Sequence, residues 1–175
     1  MSLTSRPSPM VVSLAALLLL ISAPGCGPSD RTLTHSFQQH KREFETLVAM
    51  SDEDARLIRI APGFTRLVDD WSWPRPESKW GLTQARWDEY RRLFKATGLD
   101  EGLYRAPVSK QVFLLAYSEG IVGRGIYLGY VYCGTAAPDP SDSYPPCTER
   151  NDSFVGPKYR YQKIADLWYI FEEHS

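Results

Sequence analysis

The sequence contains few of the residues from which active sites and metal centres are usually built. It has three histidines and three cysteines in 175 residues. His35 and His40 are five residues apart, which is not the spacing that one metal ion prefers on a helix, and His174 lies next to the C-terminus. No Ser-His or Cys-His arrangement typical of nucleophilic catalysis is recognisable. We therefore predict no metal ion and no cofactor, and we favour a role other than catalysis.

The sequence also lacks an excess of charge of one sign and any apolar run long enough to remain in a membrane. Its 20 basic and 21 acidic residues give a formal net charge of −1, and the two signs are interspersed. Without a basic block, we expect no nucleic-acid partner. The longest apolar run, Met10 to Ile21, has about a dozen residues, whereas a permanent transmembrane helix needs roughly 20.

This apolar run belongs to an N-terminus with the organisation of an export signal. Arg6 supplies one positive charge, no charged residue occurs from Pro7 to Ser29, and small residues follow the apolar run. We predict that residues 1–25 are a signal peptide and that the mature chain begins at Cys26. Because removal of residues 1–25 takes away Arg6 and no acidic residue, the formal charge falls from −1 to −2.

The residues around the predicted cleavage position carry a resemblance to a known class. Ala23-Pro24-Gly25-Cys26 resembles the lipobox of bacterial lipoproteins. The resemblance implies that the Cys26 thiol is diacylated, for example with palmitate, and that the membrane is a partner through this lipid anchor. Gly27, in place of aspartate, implies an outer-membrane position facing the periplasm. An ordinary secretory signal remains the alternative, because small residues at 23 and 25 also suit leader peptidase.

The mature chain has the length of one domain with a sizeable core. Residues 26–34 have few apolar side chains and are predicted to be a flexible tether, followed by a single globular domain over residues 35–175.

Apolar residues at helical spacing predict a helix from Ser36 to about Met50. Ser51 is a candidate N-cap for a second short helix that carries Leu57 and Ile58 inward and ends at Pro62-Gly63. Thr83 is predicted to cap a third helix that ends at Gly98.

The second half of the chain is typical of strands. Residues 111–117 and 121–133 are rich in aromatic and branched side chains and flank Ser118-Glu119-Gly120, which predicts a β-hairpin. A second strand pair is expected at residues 159–164 and 167–171. Helices followed by strands predict an α+β fold, with N-terminal helices packed on one face of a C-terminal antiparallel sheet. The expected core residues are Phe44, Leu47, Trp87, Tyr90, Phe94, Leu114, Tyr130, Trp168 and Ile170.

Two features of the strands suggest specific contacts. Cys133 and Cys147 remain as a pair if Cys26 is acylated, and in an oxidising compartment they are expected to form a disulfide that closes a proline-rich loop. A redox or metal-binding pair is the alternative. Gly123, Gly125 and Gly129 place little side-chain bulk on one strand face, so either a closely packed helix, a bulge or a ligand groove lies against it.

The most distinctive candidates for function are aromatic and acidic. Trp71, Trp73 and Trp80 lie close together in sequence and could stack on sugars or grip a partner, although they could equally cover the sheet. The acidic pairs Asp69-Asp70 and Asp88-Glu89 could in principle support hydrolysis of a glycan, or could be solvated surface residues.

Three aromatic segments carry a broader resemblance. Residues 83–87 with Tyr90, residues 129–132 and residues 166–169 are similar to segments of small lipoproteins of unassigned function from Gram-negative bacteria. The resemblance implies a position in the cell envelope and no particular activity. We therefore expect a lipid-anchored binding or accessory module that contacts an envelope protein or glycan. The alternative is an envelope hydrolase acting on a glycan or peptide polymer.

Overall fold

The described residues form three helices and an antiparallel sheet. The computed structural model describes residues 27–68, 81–107, 110–121, 124–134, 150–151 and 158–174. Within these residues the elements, in chain order, are α1 (Asp30–Gln39), α2 (Lys41–Glu53), β1 (Leu57–Ile60), β2 (Thr65–Leu67), α3 (Gln84–Thr97), β3 (Gly102–Arg105), β4 (Val112–Ile121), β5 (Arg124–Tyr132), β6 (Arg150–Asn151), β7 (Lys158–Ala165) and β8 (Trp168–His174).

All strands belong to one sheet in the order β2-β1-β3-β4-β5-β8-β7-β6, and every pairing is antiparallel. Seven strands have three or more residues, and β6 is a two-residue strand at the edge. The helices pack on one face, so the predicted α+β fold is confirmed. All nine expected core residues are buried, and they belong to one cluster between helices and sheet.

The third helix forms as predicted. The Thr83 side chain accepts a hydrogen bond from the Arg86 backbone N–H, and Gly98 ends the helix in the left-handed conformation with φ of 71°. The Leu99 N–H then donates to the Phe94 carbonyl oxygen. These are local signals, because each cap is read within a few residues of the helix end.

The predicted second short helix is wrong. Helix α2 continues through Ser51, whose hydroxyl donates to the Val48 carbonyl oxygen inside the helix and does not cap a new one. Leu57 and Ile58 instead belong to strand β1, which pairs with β2 and β3. The backbone N–H and C=O groups of this short run form hydrogen bonds with the neighbouring strands β2 and β3, and its branched residues suit a strand.

The predicted flexible tether is also wrong from Asp30 onward, because α1 begins there. The Ser29 side chain caps this helix, and Leu33 is buried with 3% exposure. The hydroxyl of Tyr130 donates to the Leu33 carbonyl oxygen at 2.9 Å, and burial raises the pKa of Tyr130 to about 12. The helix is interrupted at His40, which separates α1 from α2, where one continuous helix from Ser36 to about Met50 was expected. The segment therefore packs as part of the domain.

An ion-pair network fixes the start of α1 to the sheet. The Arg160 guanidinium donates two hydrogen bonds to Asp30, at 2.6 and 2.9 Å, and another to Glu172 at 2.8 Å. The hydrogen bond from Arg160 lowers the pKa of Asp30. Burial works in the opposite direction at Glu172, but hydrogen bonds from His174 and Arg160 still lower the pKa of that carboxyl.

Replacing Arg160 with glutamine is expected to lower the free energy of unfolding near neutral pH by about 1 kcal/mol, since the pairs are one-third exposed. The pKa values of Asp30 and Glu172 lie below their ordinary values of 3.8 and 4.5. The pairs therefore stabilise the fold at pH values above the ordinary pKa values of the two carboxyls. This stabilisation is lost as the pH falls through their lowered pKa values. Urea unfolding measured from about pH 7 to about pH 3 should show that the free energy of unfolding falls less with decreasing pH in Arg160→Gln than in the unchanged protein.

The control for this prediction is Arg31→Gln, which removes the same charge from an exposed neighbouring position. It should leave the acid-induced loss of stability as steep as in the unchanged protein. Equal pH dependence in the unchanged protein and Arg160→Gln would contradict the role given to the network.

The predicted hairpin forms between β4 and β5, but Ser118-Glu119-Gly120, which were expected between the two strands, belong to β4 and pair with β5. A β-bulge interrupts the register between Leu115 and Tyr117, opposite Gly129. A Cβ atom at Gly129 would clash with the Leu114 carbonyl oxygen and lie 3.0 Å from the Ala116 nitrogen. The close neighbour at this glycine is thus the backbone of the adjacent strand at a bulge. Gly123 lies outside the described residues.

Candidate functional site

The face of the sheet opposite the helices, here called the far face, carries a continuous row of paired residues. Strand register aligns Arg66 with Arg59, Arg59 with Tyr104, Tyr104 with Phe113, and Phe113 with Val131. Paired residues in antiparallel strands present their side chains on the same face. The sheet therefore aligns two arginines and two aromatic residues from four different strands.

A cavity of about 580 Å³ lies on the far face and includes part of this row. We call it the far-face pocket. Its volume falls within the range of roughly 300–1,000 Å³ that is usual for small-molecule sites. Its lining residues are Arg59, Phe64, Arg66, Glu101, Tyr104, Phe113, Leu115, Ser118, Tyr127, Phe171 and Glu173.

One end of the pocket is charged and held by β1, β2 and the chain before β3. The Arg59 side chain is 13% exposed, and its Nη2 lies 3.6 Å from the Glu101 Oε2, whose side chain is 39% exposed. The Arg59 guanidinium also stands 5.7 Å from the centre of the Phe64 ring. A nearly buried guanidinium held by an ion pair and a ring has a fixed direction, which suits recognition of an anionic group.

The middle of the pocket is aromatic. The rings of Phe113 and Phe171 meet edge to face at 5.1 Å and 81°, and Tyr104 lies 6.1 Å from Phe113. Phe113 and Phe171 are each 1% exposed and belong to a second apolar cluster, distinct from the core beneath the helices. Of these three rings, the half-buried Tyr104 can contact a planar or apolar part of a ligand, whereas the two phenylalanines are buried.

The other end contains Glu173, Ser118 and Tyr127. Burial raises the pKa of Glu173, whose Oε1 accepts a hydrogen bond from the Tyr159 hydroxyl at 3.3 Å. Burial and the nearby charge of Glu173 raise the pKa of Tyr159 as well. Tyr127 is 39% exposed and is aligned with both Ser118 and Glu173 in the sheet. This end therefore offers hydroxyl groups and one carboxyl.

A second titratable cluster joins α2 to α3. Arg86 donates to Asp54 and Glu53 at 2.9 and 2.6 Å, and the Tyr90 hydroxyl donates to Asp54 at 2.9 Å. Burial raises the pKa of Tyr90, and the Asp54 charge adds to this effect. Arg86 on α3 thus bridges to carboxylates on α2 and at its C-terminal end, so we assign the cluster a structural role.

The predicted cysteine sites fall mostly outside the described residues. Cys26, the predicted acylation site, and Cys147 both lie there. Cys133 follows β5 in the far-face apolar cluster, is 8% exposed and is disulfide-bonded. Its pairing with Cys147 stays a prediction, as does acylation of Cys26.

Most of the predicted aromatic and acidic candidates lie outside the described residues. Trp71, Trp73 and Trp80 lie outside the described residues, and their stacking role stays a prediction. Asp69 and Asp70 lie there too. Asp88 and Glu89 are on α3, where Asp88 accepts hydrogen bonds from Gln84 and Arg91 and Glu89 accepts one from Arg86.

The histidines are dispersed. His35 is exposed on α1, His40 lies 3.9 Å from Glu43, and the His174 Nε2 lies 2.6 Å from Glu172. Within the described parts of the chain, no three His, Cys, Asp or Glu side chains are grouped so that they could hold a metal ion. Among the same residues, no helix combines the length and apolar character needed to cross a bilayer.

Sequence reasoning missed the pocket because its eleven lining residues are spread along the chain from Arg59 to Glu173. A weak signal was present at Arg59, a charged residue between Ile58 and Ile60, and at Tyr104 between Leu103 and Arg105. Both patterns are typical of strands with a polar or aromatic residue on one face. Which residues then become neighbours depends on strand order, which these short segments do not specify.

Comparison with known proteins identifies no relative, since no protein-family model, no curated protein and no solved structure matches the chain. The function is therefore inferred from the chain's own residues.

Proposed function

We propose that this chain is a lipid-anchored binding module of the bacterial cell envelope and that the far-face pocket is its ligand site. The observation that carries the proposal is the pocket itself, which combines a fixed guanidinium, aromatic rings and hydroxyl groups in about 580 Å³. Such a mixture of apolar walls and a few oriented polar groups is typical of ligand sites. The lipobox-like residues that end at Cys26 support the lipid anchor, and Gly27 in place of aspartate supports an outer-membrane position facing the periplasm.

The anchor has a direct test in the producing cell. Metabolic labelling with a palmitate analogue should mark the unchanged protein and should fail with Cys26→Ser. A mature protein that carries no lipid and starts with a free amine would show that the chain is secreted without an anchor. The result decides the compartment and leaves the binding site to a separate experiment.

The binding site is tested by filling the pocket. Ser118 lines it and is half-buried, so Ser118→Trp should occupy part of the cavity. Native mass spectrometry of protein released gently from membranes should show a bound small molecule in the unchanged protein and none in Ser118→Trp. Glu45→Trp on α2, exposed on the helical side, is the matched control and should retain the molecule. Absence of any bound molecule, or equal retention in both variants, would contradict the assignment.

The alternative is a hydrolase acting on an envelope glycan or peptide. It predicts turnover of peptidoglycan fragments by the purified protein, and loss of that turnover on replacing acidic residues such as Asp88 or Glu89 with their amides. Turnover sensitive to these changes would replace the binding proposal, because a pure binding module leaves the polymer intact.

A further inference from the structure

One carboxylate in the far-face pocket has no cationic partner among the described residues. Glu173 is half-buried on β8 and lines the cavity. In the part of the chain that the structure describes, its hydrogen-bond partner is the Tyr159 hydroxyl, at 3.3 Å. The basic residues Arg160 and His174 on the same pair of strands bond to Glu172 instead. Burial raises the pKa of Glu173 above its ordinary value of 4.5, as expected for a carboxylate whose charge is not compensated.

Glu173 stands between two tyrosines in directly paired positions of the sheet. Register aligns it with Tyr127 on β5 and with Tyr159 on β7. Directly paired side chains have Cβ atoms about 5 Å apart, so both rings lie beside the carboxylate. Tyr127 is 39% exposed, which leaves part of its ring accessible to a ligand. This end of the pocket therefore combines an uncompensated negative charge with aromatic rings.

An organic ammonium group suits these neighbours better than a neutral hydroxyl group does. Its N–H groups can donate charge-assisted hydrogen bonds to the Glu173 carboxylate, and its positive charge compensates a charge that burial disfavours. The same positive charge is attracted to the electron-rich face of a tyrosine ring. A sugar hydroxyl could donate a hydrogen bond, but it would leave the half-buried charge without a counter-charge.

The two arginines that line the pocket lie at its opposite end. Arg59 is on β1, four strand positions from β8, which corresponds to about 19 Å along the sheet at a spacing of about 4.8 Å per strand. Arg66 is on β2, one strand farther away. Charges of solvent-accessible groups are largely screened beyond about 8–10 Å at physiological salt concentration. In addition, the Glu101 carboxylate lies 3.6 Å from the Arg59 guanidinium. The arginines therefore repel a cation at Glu173 only weakly.

We propose that the Glu173 end of the far-face pocket binds an organic ammonium group, with the ammonium at the Glu173 carboxylate and beside the Tyr127 ring. This inference rests on the proposed function, since it assumes that the pocket is the ligand site. It adds the chemical class of one ligand group and the place in the pocket where that group lies.

Two probes of almost equal size test the class. Benzylamine is an ammonium ion at about pH 7, whereas benzyl alcohol carries a neutral hydroxyl in the same position. NMR titration of the purified mature protein should show about tenfold tighter binding of benzylamine, the effect of one charge-assisted hydrogen bond. Glu173→Gln keeps the shape of the side chain and removes its charge, so it should weaken benzylamine binding about tenfold. It should change binding of benzyl alcohol less than about twofold.

Matched variants separate the local charge from other effects. Glu119→Gln removes one negative charge from an exposed residue of β4 whose carboxylate accepts a hydrogen bond from Tyr117, on the helical side of the sheet. It should leave both affinities unchanged. Tyr127→Leu keeps an apolar side chain without the aromatic face and should weaken benzylamine binding about threefold. Circular dichroism and urea unfolding of each variant confirm that it is folded.

The pocket-filling variant distinguishes failure of the ligand class from failure of the site. If Ser118→Trp weakens both probes but the unchanged protein binds them equally, or Glu173→Gln affects them equally, the pocket is a binding site and the ammonium class is wrong. A loss of benzylamine affinity in Glu119→Gln as large as in Glu173→Gln would also overturn the class. If Ser118→Trp leaves both affinities unchanged, or neither probe binds, the pocket is not the site and the proposed function falls with the inference.

Discussion

Replacing Gly102 with alanine is expected to destabilise the domain by roughly 3 kcal/mol or more. Gly102 begins β3 with φ of 78°, a left-handed conformation that costs a residue with a side chain about 1–2 kcal/mol. A Cβ atom there would clash with the Ile60 carbonyl oxygen and lie 2.8 Å from the Ala61 Cα. Both neighbours are backbone atoms near the β1–β3 pairing, so they cannot move without disturbing the sheet.

Gly98→Ala is the matched control for Gly102→Ala. Gly98 also has a left-handed backbone, with φ of 71°, but a Cβ atom there would meet nothing within 4 Å. It should therefore show only the conformational cost of about 1 kcal/mol. Urea unfolding of the three proteins gives both values. Equal losses in the two variants would show that the backbone at Ile60 moves easily and that the contact is unimportant.

Replacing Phe44 with alanine is expected to lower the free energy of unfolding by about 4 kcal/mol. Phe44 is fully buried on α2, with its ring 4.5 Å from Tyr130, 5.4 Å from Phe37 and 6.0 Å from Trp168. These rings come from α1, β5 and β8, so one substitution opens a cavity where two helices meet the sheet. Such a cavity closes poorly, because its walls are rigid rings on separate elements.

Glu45→Ala is the control for Phe44→Ala, since it changes the next residue of the same helix. The Glu45 side chain is 54% exposed and its carboxylate lies 3.7 Å from the Lys41 ammonium. Its loss should cost less than about 0.5 kcal/mol. A loss below about 2 kcal/mol in Phe44→Ala would mean that the core relaxes around the missing ring.

The parts of the fold that could be predicted are those with signals close together in sequence. Helix α3 has an N-cap at Thr83 and a left-handed glycine at Gly98, and both act within one turn of the helix. The β7–β8 pair has strands of alternating character joined by a short turn at Asp166-Leu167. Such elements are specified by their own residues and keep their form in most surroundings.

The errors have the opposite origin. Strands β1 (Leu57–Ile60) and β2 (Thr65–Leu67) are too short to show the alternation of polar and apolar residues that identifies a strand. They form strands because they pair with each other and because β3 lies beside β1 in the sheet. Asp30 looked like part of a polar tether because its partner, Arg160, is 130 residues away. The far-face pocket was unpredictable for the same reason, since it depends on the order of the strands.

If Cys26 is acylated, the early start of α1 determines how far the domain can travel from the lipid. In a chain acylated at Cys26, only Gly27, Pro28 and Ser29 separate the lipid from the first helical residue, Asp30. Fully extended, these residues span about 10 Å. The domain then occupies a thin layer directly above the lipid headgroups and cannot search across the periplasm. Any molecule that it binds has to arrive at, or already belong to, the membrane surface.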